Sequence, residues 1–435
     1  MTAQFQGSNG SSIFVETSDA LPLYQLSLTL HSGSTFDPPG KEGLARLAAR
    51  MWRMGTDRYT AEQLADEFDA LGAHFSVGVG RCYTHIGATV VERNLDKVLD
   101  LVAHVLTSST FLSDEFEQQQ RETIAALDAS LDDDGAIAGY HFRRIALAGH
   151  LYGRPVTGTR QSVNQIQRDD LVEFVQTHMT GPNALIGLTG PMEPDAAHAL
   201  LEKHFAFLPN RPAPRVTVPH PELAPGRRLI LVDKPDRTQS QVVIGTVGSC
   251  SKDPEYAALV TSNTAFGGLF TSRLTNEVRA KRGWSYGASS GMGNQPQRDL
   301  WSMRTSPAEK DTRSCVELQL RLLEGWVDAG LDSEELERAK DYLIKSHPFE
   351  SDTAYKRLEH AMDQVVFEIP DPIHRHFPKL VDAVTQESAQ AAVRARIEPQ
   401  NQLIVVLGTA AQLEKPLAAM RGVDEMVVIP FDSHW

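Results

Sequence analysis

Within the segment FGGLFTSRLTNEVRAKRGWSYGASS, residues 266–290, Arg279 and Tyr286 stand seven positions apart. An arginine is a permanent cation with a rigid fork of donors and a tyrosine adds a phenolic O–H, so together they suit an oxygen on which negative charge develops. To converge, they need a helix that carries Arg279 and stops before Tyr286. Gly283 offers the left-handed turn that would stop it. The pattern therefore predicts a helix from Ser272 to Lys281, then an extended run from Trp284 to Ser290 from which Tyr286 projects. Gly267 and Gly268, just before the helix, suit a turn or the close approach of another backbone. Arg and Tyr at this spacing are common, and by themselves fit a solvated helix end followed by a half-buried strand residue.

Other chemistry-bearing types are scattered. His374 and His376 lack an i, i+4 pairing with a further ligand, and Lys356-Arg-Leu-Glu359-His360 has lysine where a first imidazole would stand. The three cysteines, Cys82, Cys250 and Cys315, are odd in number and widely spaced, which reads as free thiols and neither a disulfide framework nor a C-x-x-C site. Acidic residues outnumber basic ones 56 to 42, a net charge of −14, so no nucleic-acid surface is expected. Residues 1–18 are polar, and no apolar run is long enough to span a bilayer. The expectation is a soluble protein of the cytoplasm, or of the periplasm if the numbering starts at a trimmed mature form.

At 435 residues the chain is long enough for two hydrophobic cores. It is also written twice. Asn183-Ala-Leu-Ile-Gly-Leu-Thr-Gly190 returns as Asn401-Gln-Leu-Ile-Val-Val-Leu-Gly408, Asp37-Pro38 as Asp253-Pro254, and Phe111-Leu-Ser-Asp-Glu-Phe-Glu as Leu331-Asp-Ser-Glu-Glu-Leu-Glu. Shared order and nearly constant spacing make this a duplication. Residues 211–228 are proline-rich and form an extended connector between a domain over 1–210 and a second over 229–435. Alternating strands (Leu23 to Leu30, Val242 to Val247) precede amphipathic helices and further strands in each half. The class is α+β: two homologous domains, each a mixed, mostly antiparallel sheet with helices packed on one face.

These segments resemble the pitrilysin/insulinase peptidases. The match runs through DPPGKEGLARLAARMWRMGT at 37–56, HLYGRPVTGT at 150–159, the strand at 183–190, and the long segment around Arg279. In catalytic members the helix after Gly43-Leu44-Ala45 carries H-x-x-E-H, two zinc-binding histidines one turn apart and a glutamate that activates water. Here those positions hold Arg46, Ala49 and Arg50. A guanidinium has no lone pair for a metal and alanine is no base. The family's third ligand, a glutamate about 75 residues further on, falls near Ala125, Ala126 or Leu127. A solvated helix face, or pairing with acids such as Glu42, accounts for the two arginines.

The resemblance implies a noncatalytic subunit of a two-chain zinc metallopeptidase, similar to the noncatalytic chain of the mitochondrial processing peptidase and of bacterial heterodimers. Such a chain holds no metal cofactor and is inactive alone; its partner is a homologous subunit bearing H-x-x-E-H and the zinc. Arg279 and Tyr286 would reach the partner's zinc site and hold the carbonyl of the cut bond, with Gly267 and Gly268 beside the substrate. That substrate is expected to be an unfolded peptide added as a strand to a sheet edge. The rival readings are a scaffold protein of the same family with no part in proteolysis, and a peptidase with unfamiliar metal ligands.

Overall fold

The structure, a computed structural model, describes residues 2–433. The chain forms two compact units, and their division departs from a single cut at the connector. The first unit gathers residues up to Leu127, Arg154–Thr217 and Phe349–Phe367; the second gathers Asp128–Gly153, Val218–Pro348 and the chain from Glu368 onward. Each half of the sequence therefore gives one short segment to the other half's unit.

The first unit holds β1 (Ala3–Gln6), β2 (Ser12–Thr17), β3 (Leu23–Leu30), β4 (His74–Val79), β5 (Thr84–Val91) and β6 (Ala184–Gly190), in the spatial order β1-β2-β6-β3-β5-β4. The second holds β7 (Arg228–Asp233), β8 (Gln241–Val247), β9 (Ala288–Met292), β10 (Leu300–Thr305), β11 (Leu403–Gly408) and β12 (Glu425–Pro430), ordered β12-β7-β11-β8-β10-β9. Five positions correspond one to one. In both sheets the strand that closes the repeat, β6 or β11, lies parallel to one neighbour and antiparallel to the other. The outermost strand breaks the symmetry: β1 precedes β2 and pairs antiparallel, whereas β12 comes from the chain's end and pairs parallel with β7.

Most helices of each unit cover one sheet face, as the alternation of strand residues requires. Val242, Ile244, Trp301 and Met303 point into the helix-covered core of the second unit. The opposite face is partly covered too, by the exchanged segments. Helix Ala354–Val366 packs Leu358 and Met362 against Phe14 and Leu185 of the first sheet. Helix Asp134–Ala146 does the same for the second, where a Cβ on Gly245 would meet the Phe142 ring at 2.9 Å. Coverage on both sides explains why β6 and β11 are buried along their whole length and read as nearly unbroken apolar runs.

The predicted helix from Ser272 to Lys281 is a single α turn, Arg273–Thr275, continued by a π-helical turn, Asn276–Ala280. The predicted extended run after it is a true strand only from Ala288. No helix among the described residues is long and apolar enough to cross a membrane.

Candidate functional site

In the second unit a buried polar frame fixes the segment that bears Arg279 and Tyr286. Asn263 Oδ1 accepts from Ser290 Oγ and from Trp301 Nε1, both at 2.7 Å. Phe266, Trp301 and Trp326 form a three-ring cluster in which the Phe266 ring stacks on Trp326 at 4.3 Å between centroids. Gly267 follows Phe266 in a second π-helical turn, Thr264–Gly268. A Cβ there would stand 2.2 Å from Ser290 Oγ, so the glycine exists to let this turn lie against β9. Gly268 is exposed and meets nothing closer than 3.6 Å. The first glycine thus has a packing role, and the second leaves space at the surface.

On this frame Ser272 caps the short α turn through Thr275 N. Gly283 takes a positive φ of 64° and its N–H donates to Arg279 O at 3.0 Å, closing the turn as the sequence predicts. Ser285 is then pinned, its Oγ accepting from Ser306 N at 2.8 Å. Tyr286 is thereby thrown outward and is 86% exposed. The Arg279 guanidinium lies 4.8 Å from its ring centre and 4.3 Å from that of Phe270, which is 72% exposed. Sequence reasoning passed over Phe270; its signal was an aromatic residue at the mouth of a turn with no apolar pattern to bury it. Among the described residues the Arg279 guanidinium makes no hydrogen bond or ion pair. Stacking orients it while its donors stay unspent. Neighbouring charges are spoken for: Glu277 binds Lys281 and Arg282, and Arg273 binds Glu335.

The first unit's helix Leu44–Met51 carries the degenerate motif. Ala49 is buried, Arg46 is exposed and Arg50 is half-buried. Although the side chain as a whole is exposed, desolvation of the guanidinium by the protein around it, with Arg50 beside it, lowers the Arg46 pKa from its ordinary value. Arg50 does not reach Glu42: its contacts are Thr123 Oγ1 at 3.5 Å and Glu122 at 3.7 Å, from helix Ser113–Ser130. That helix presents Gln119, Thr123 and Leu127 as one buried i, i+4 row. Of the positions proposed for a third ligand, Leu127 is on this row and Ala125 and Ala126 are exposed. The residues do not fit a zinc ion. No three His, Cys, Asp or Glu side chains among the described residues converge as a metal would need.

The repeated Asp-Pro pair shows how far the two units have diverged. Asp37 accepts from Gly43 N and Ala45 N, both at 2.8 Å, and so caps the Leu44–Met51 helix. Burial pushes its carboxyl up to about 7, outweighing those two donors. A raised carboxyl contributes stability that is complete below its unfolded value and is lost as pH rises through the folded one. Asp37→Asn, which never ionises, is expected to flatten the fall in urea stability of this unit between about pH 4 and pH 8. An unchanged slope would show that Asp37 is ionised throughout.

A twice-written α+β chain with a half-buried arginine and an exposed tyrosine brought together in one unit, and arginines at the metal-motif positions of the other, has the architecture of a peptidase-related protein. It matches the description "Insulinase (Peptidase family M16)" over residues 15–160 and "Peptidase M16 inactive domain" over 165–343. The chain belongs to the M16 peptidase family. Among its relatives is an "Uncharacterized zinc protease" of Rickettsia bellii, 24% identical over 82% of this chain and 86% of that one. Another is the "Probable mitochondrial-processing peptidase subunit beta, mitochondrial" of Arabidopsis thaliana, 23% identical over 60% of this chain and 49% of that one. A crystal structure titled peptidase M16 inactive domain, from Pseudomonas fluorescens, shares the fold with a TM-score of 0.87 at 22% identity, covering 94% of this chain and 98% of its own.

Proposed function

We propose that this chain is the zinc-less subunit of a two-chain metallopeptidase and lends Arg279 and Tyr286 to a partner's active centre. One observation carries the reading: the Arg279 guanidinium is oriented by two exposed rings, yet its donors serve no contact among the described residues. A side chain held in that way is prepared for something outside the chain. The replacement of both zinc-binding histidines by arginine supports assigning the metal, its ligands and the general base to the partner. In that assembly the partner's zinc would supply the activated water. Arg279 and Tyr286 would donate to the peptide carbonyl oxygen as charge builds on it.

The test is reconstitution with a homologous subunit that carries H-x-x-E-H. Peptide hydrolysis is expected only from the mixture, and the purified chain alone is expected to hold no stoichiometric zinc by elemental analysis. Full-rate hydrolysis by this chain without a companion would overturn the reading, as would one tightly bound zinc per chain.

A further inference from the structure

Phe270 is exposed and belongs to neither unit's main hydrophobic core, so burial does not explain a phenylalanine there. It has no polar atom to offer a substrate. Its one ring or cation contact among the described residues is with the Arg279 guanidinium, 4.3 Å from the ring centre. The backbone that presents it is nevertheless held on both sides. Leu269 N donates to Thr264 O at 3.1 Å, and Leu269 O accepts from Ser272 N at 3.0 Å and from Thr275 Oγ1 at 3.2 Å. Thr271 O accepts from Asn276 Nδ2 at 2.9 Å.

These bonds tie Phe270 to the element that carries Arg279. Ser272 caps the α turn Arg273–Thr275, and Asn276 opens the π-helical turn on which Arg279 stands. The wide turn is closed by Lys281 N donating to Asn276 O at 2.9 Å, and Gly283 N fixes Arg279 O. Ring and guanidinium therefore rise from one braced piece of backbone. An arginine side chain held only at its Cα would sample many rotamers, and the cost of ordering it would fall on the step that needs its donors.

We infer that Phe270 is a positioning residue for the proposed reaction, holding the Arg279 guanidinium in its donating orientation while Tyr286 engages the substrate. The two rings near that guanidinium differ in what else they can do. Tyr286 has a hydroxyl to give, whereas Phe270 can serve only through Arg279. The role rests on the function proposed above; the contact and its bracing stand apart from it.

The experiment is a double-mutant cycle on Phe270 and Arg279 in the reconstituted pair, with kcat and KM read separately. Phe270→Ala is expected to lower kcat about tenfold and to leave KM within about twofold. In an Arg279→Ala background the same change is expected to alter kcat by less than about twofold, because nothing is left to position. Phe270→Trp should stay within about twofold of the wild-type rate, whereas Phe270→Leu, apolar but without a π face, should lose about as much as alanine. A second readout uses the full chain alone. The Arg279 Nε–H proton resonance, identified by its loss in Arg279→Ala, is expected upfield of exposed arginines through ring shielding and should move back toward them in Phe270→Ala. Equal losses from Phe270→Ala in both backgrounds would overturn the inference, as would a raised KM with kcat unchanged. So would a wild-type rate from Phe270→Leu, or a resonance indifferent to Phe270→Ala. If Arg279→Ala is costly and Phe270→Ala is silent, only the Phe270 assignment falls. A wild-type rate from Arg279→Ala would instead remove the catalytic reading and this role together.

Discussion

Arg279→Ala in the reconstituted pair is expected to lower kcat by about 10²- to 10³-fold with little change in KM, the usual cost of losing one donor to a developing oxyanion. The split between the two constants matters. A side chain that merely gripped the ground-state peptide would raise KM instead. Tyr286→Phe should cost less, roughly tenfold, because a neutral O–H is lost while the ring that stacks on Arg279 remains. Arg279→Lys keeps the charge but loses the planar fork that lies between Phe270 and Tyr286, so it should recover only part of the rate. None of these changes should unfold the chain. The guanidinium has only its two exposed ring contacts to lose, worth about 1 kcal/mol or less apiece. Wild-type rates from both Arg279→Ala and Tyr286→Phe would turn the assignment toward a scaffold with no part in proteolysis.

What the sequence revealed and what it hid follow from different physics. A glycine that stops a helix and a strand that closes a repeat are local events, so Gly283 and the runs at 183–190 and 401–408 are legible from residue order alone. The duplication also exposes its own defect, since arginines at 46 and 50 cannot do what imidazoles do. Helix Asp134–Ala146 is invisible for two reasons. Gly135 and Gly139 weaken its pattern, and an apolar face says that a helix is buried without saying against which sheet. Phe270 fails the same way, because what matters about it is an arginine nine residues on that folds back over its ring. The paired aspartates are readable as a repeat, but their charge states are not. Those depend on cations brought from distant positions, Arg298 and Arg396 to Asp253, and on their scarcity around Asp37.

Asp253→Ala is expected to be among the more destabilising single changes in the second unit, by about 2 to 4 kcal/mol, because it takes from the half-buried Arg298 its acid partner and leaves Arg396 with Glu255 alone. Arg298 donates to both Asp253 oxygens, with Nη2 to Oδ1 at 2.8 Å, and Arg396 Nη2 lies 3.1 Å from Oδ1. Ser249 Oγ and Cys250 N donate as well, at 2.8 and 3.1 Å. Burial alone would raise this carboxyl, yet the arginine and the hydrogen bonds hold it at about 2. The sign is therefore opposite to that of Asp37. A depressed carboxyl contributes stability that is present above its unfolded value and is lost as pH falls through the folded one. For Asp253 the loss should run from about pH 4 downward. Asp253→Asn separates charge from shape: it keeps one acceptor oxygen but leaves Arg298 without a countercharge and Arg396 with Glu255 alone. It should therefore give most of the loss at pH 7 and remove this group's share of the acid dependence. Urea unfolding followed by tryptophan fluorescence would read both effects, since Trp301 and Trp326 lie in this unit's core. A cost below about 1 kcal/mol for Asp253→Ala would place the pair with exposed ion pairs, whose arginines return to water when the acid is removed.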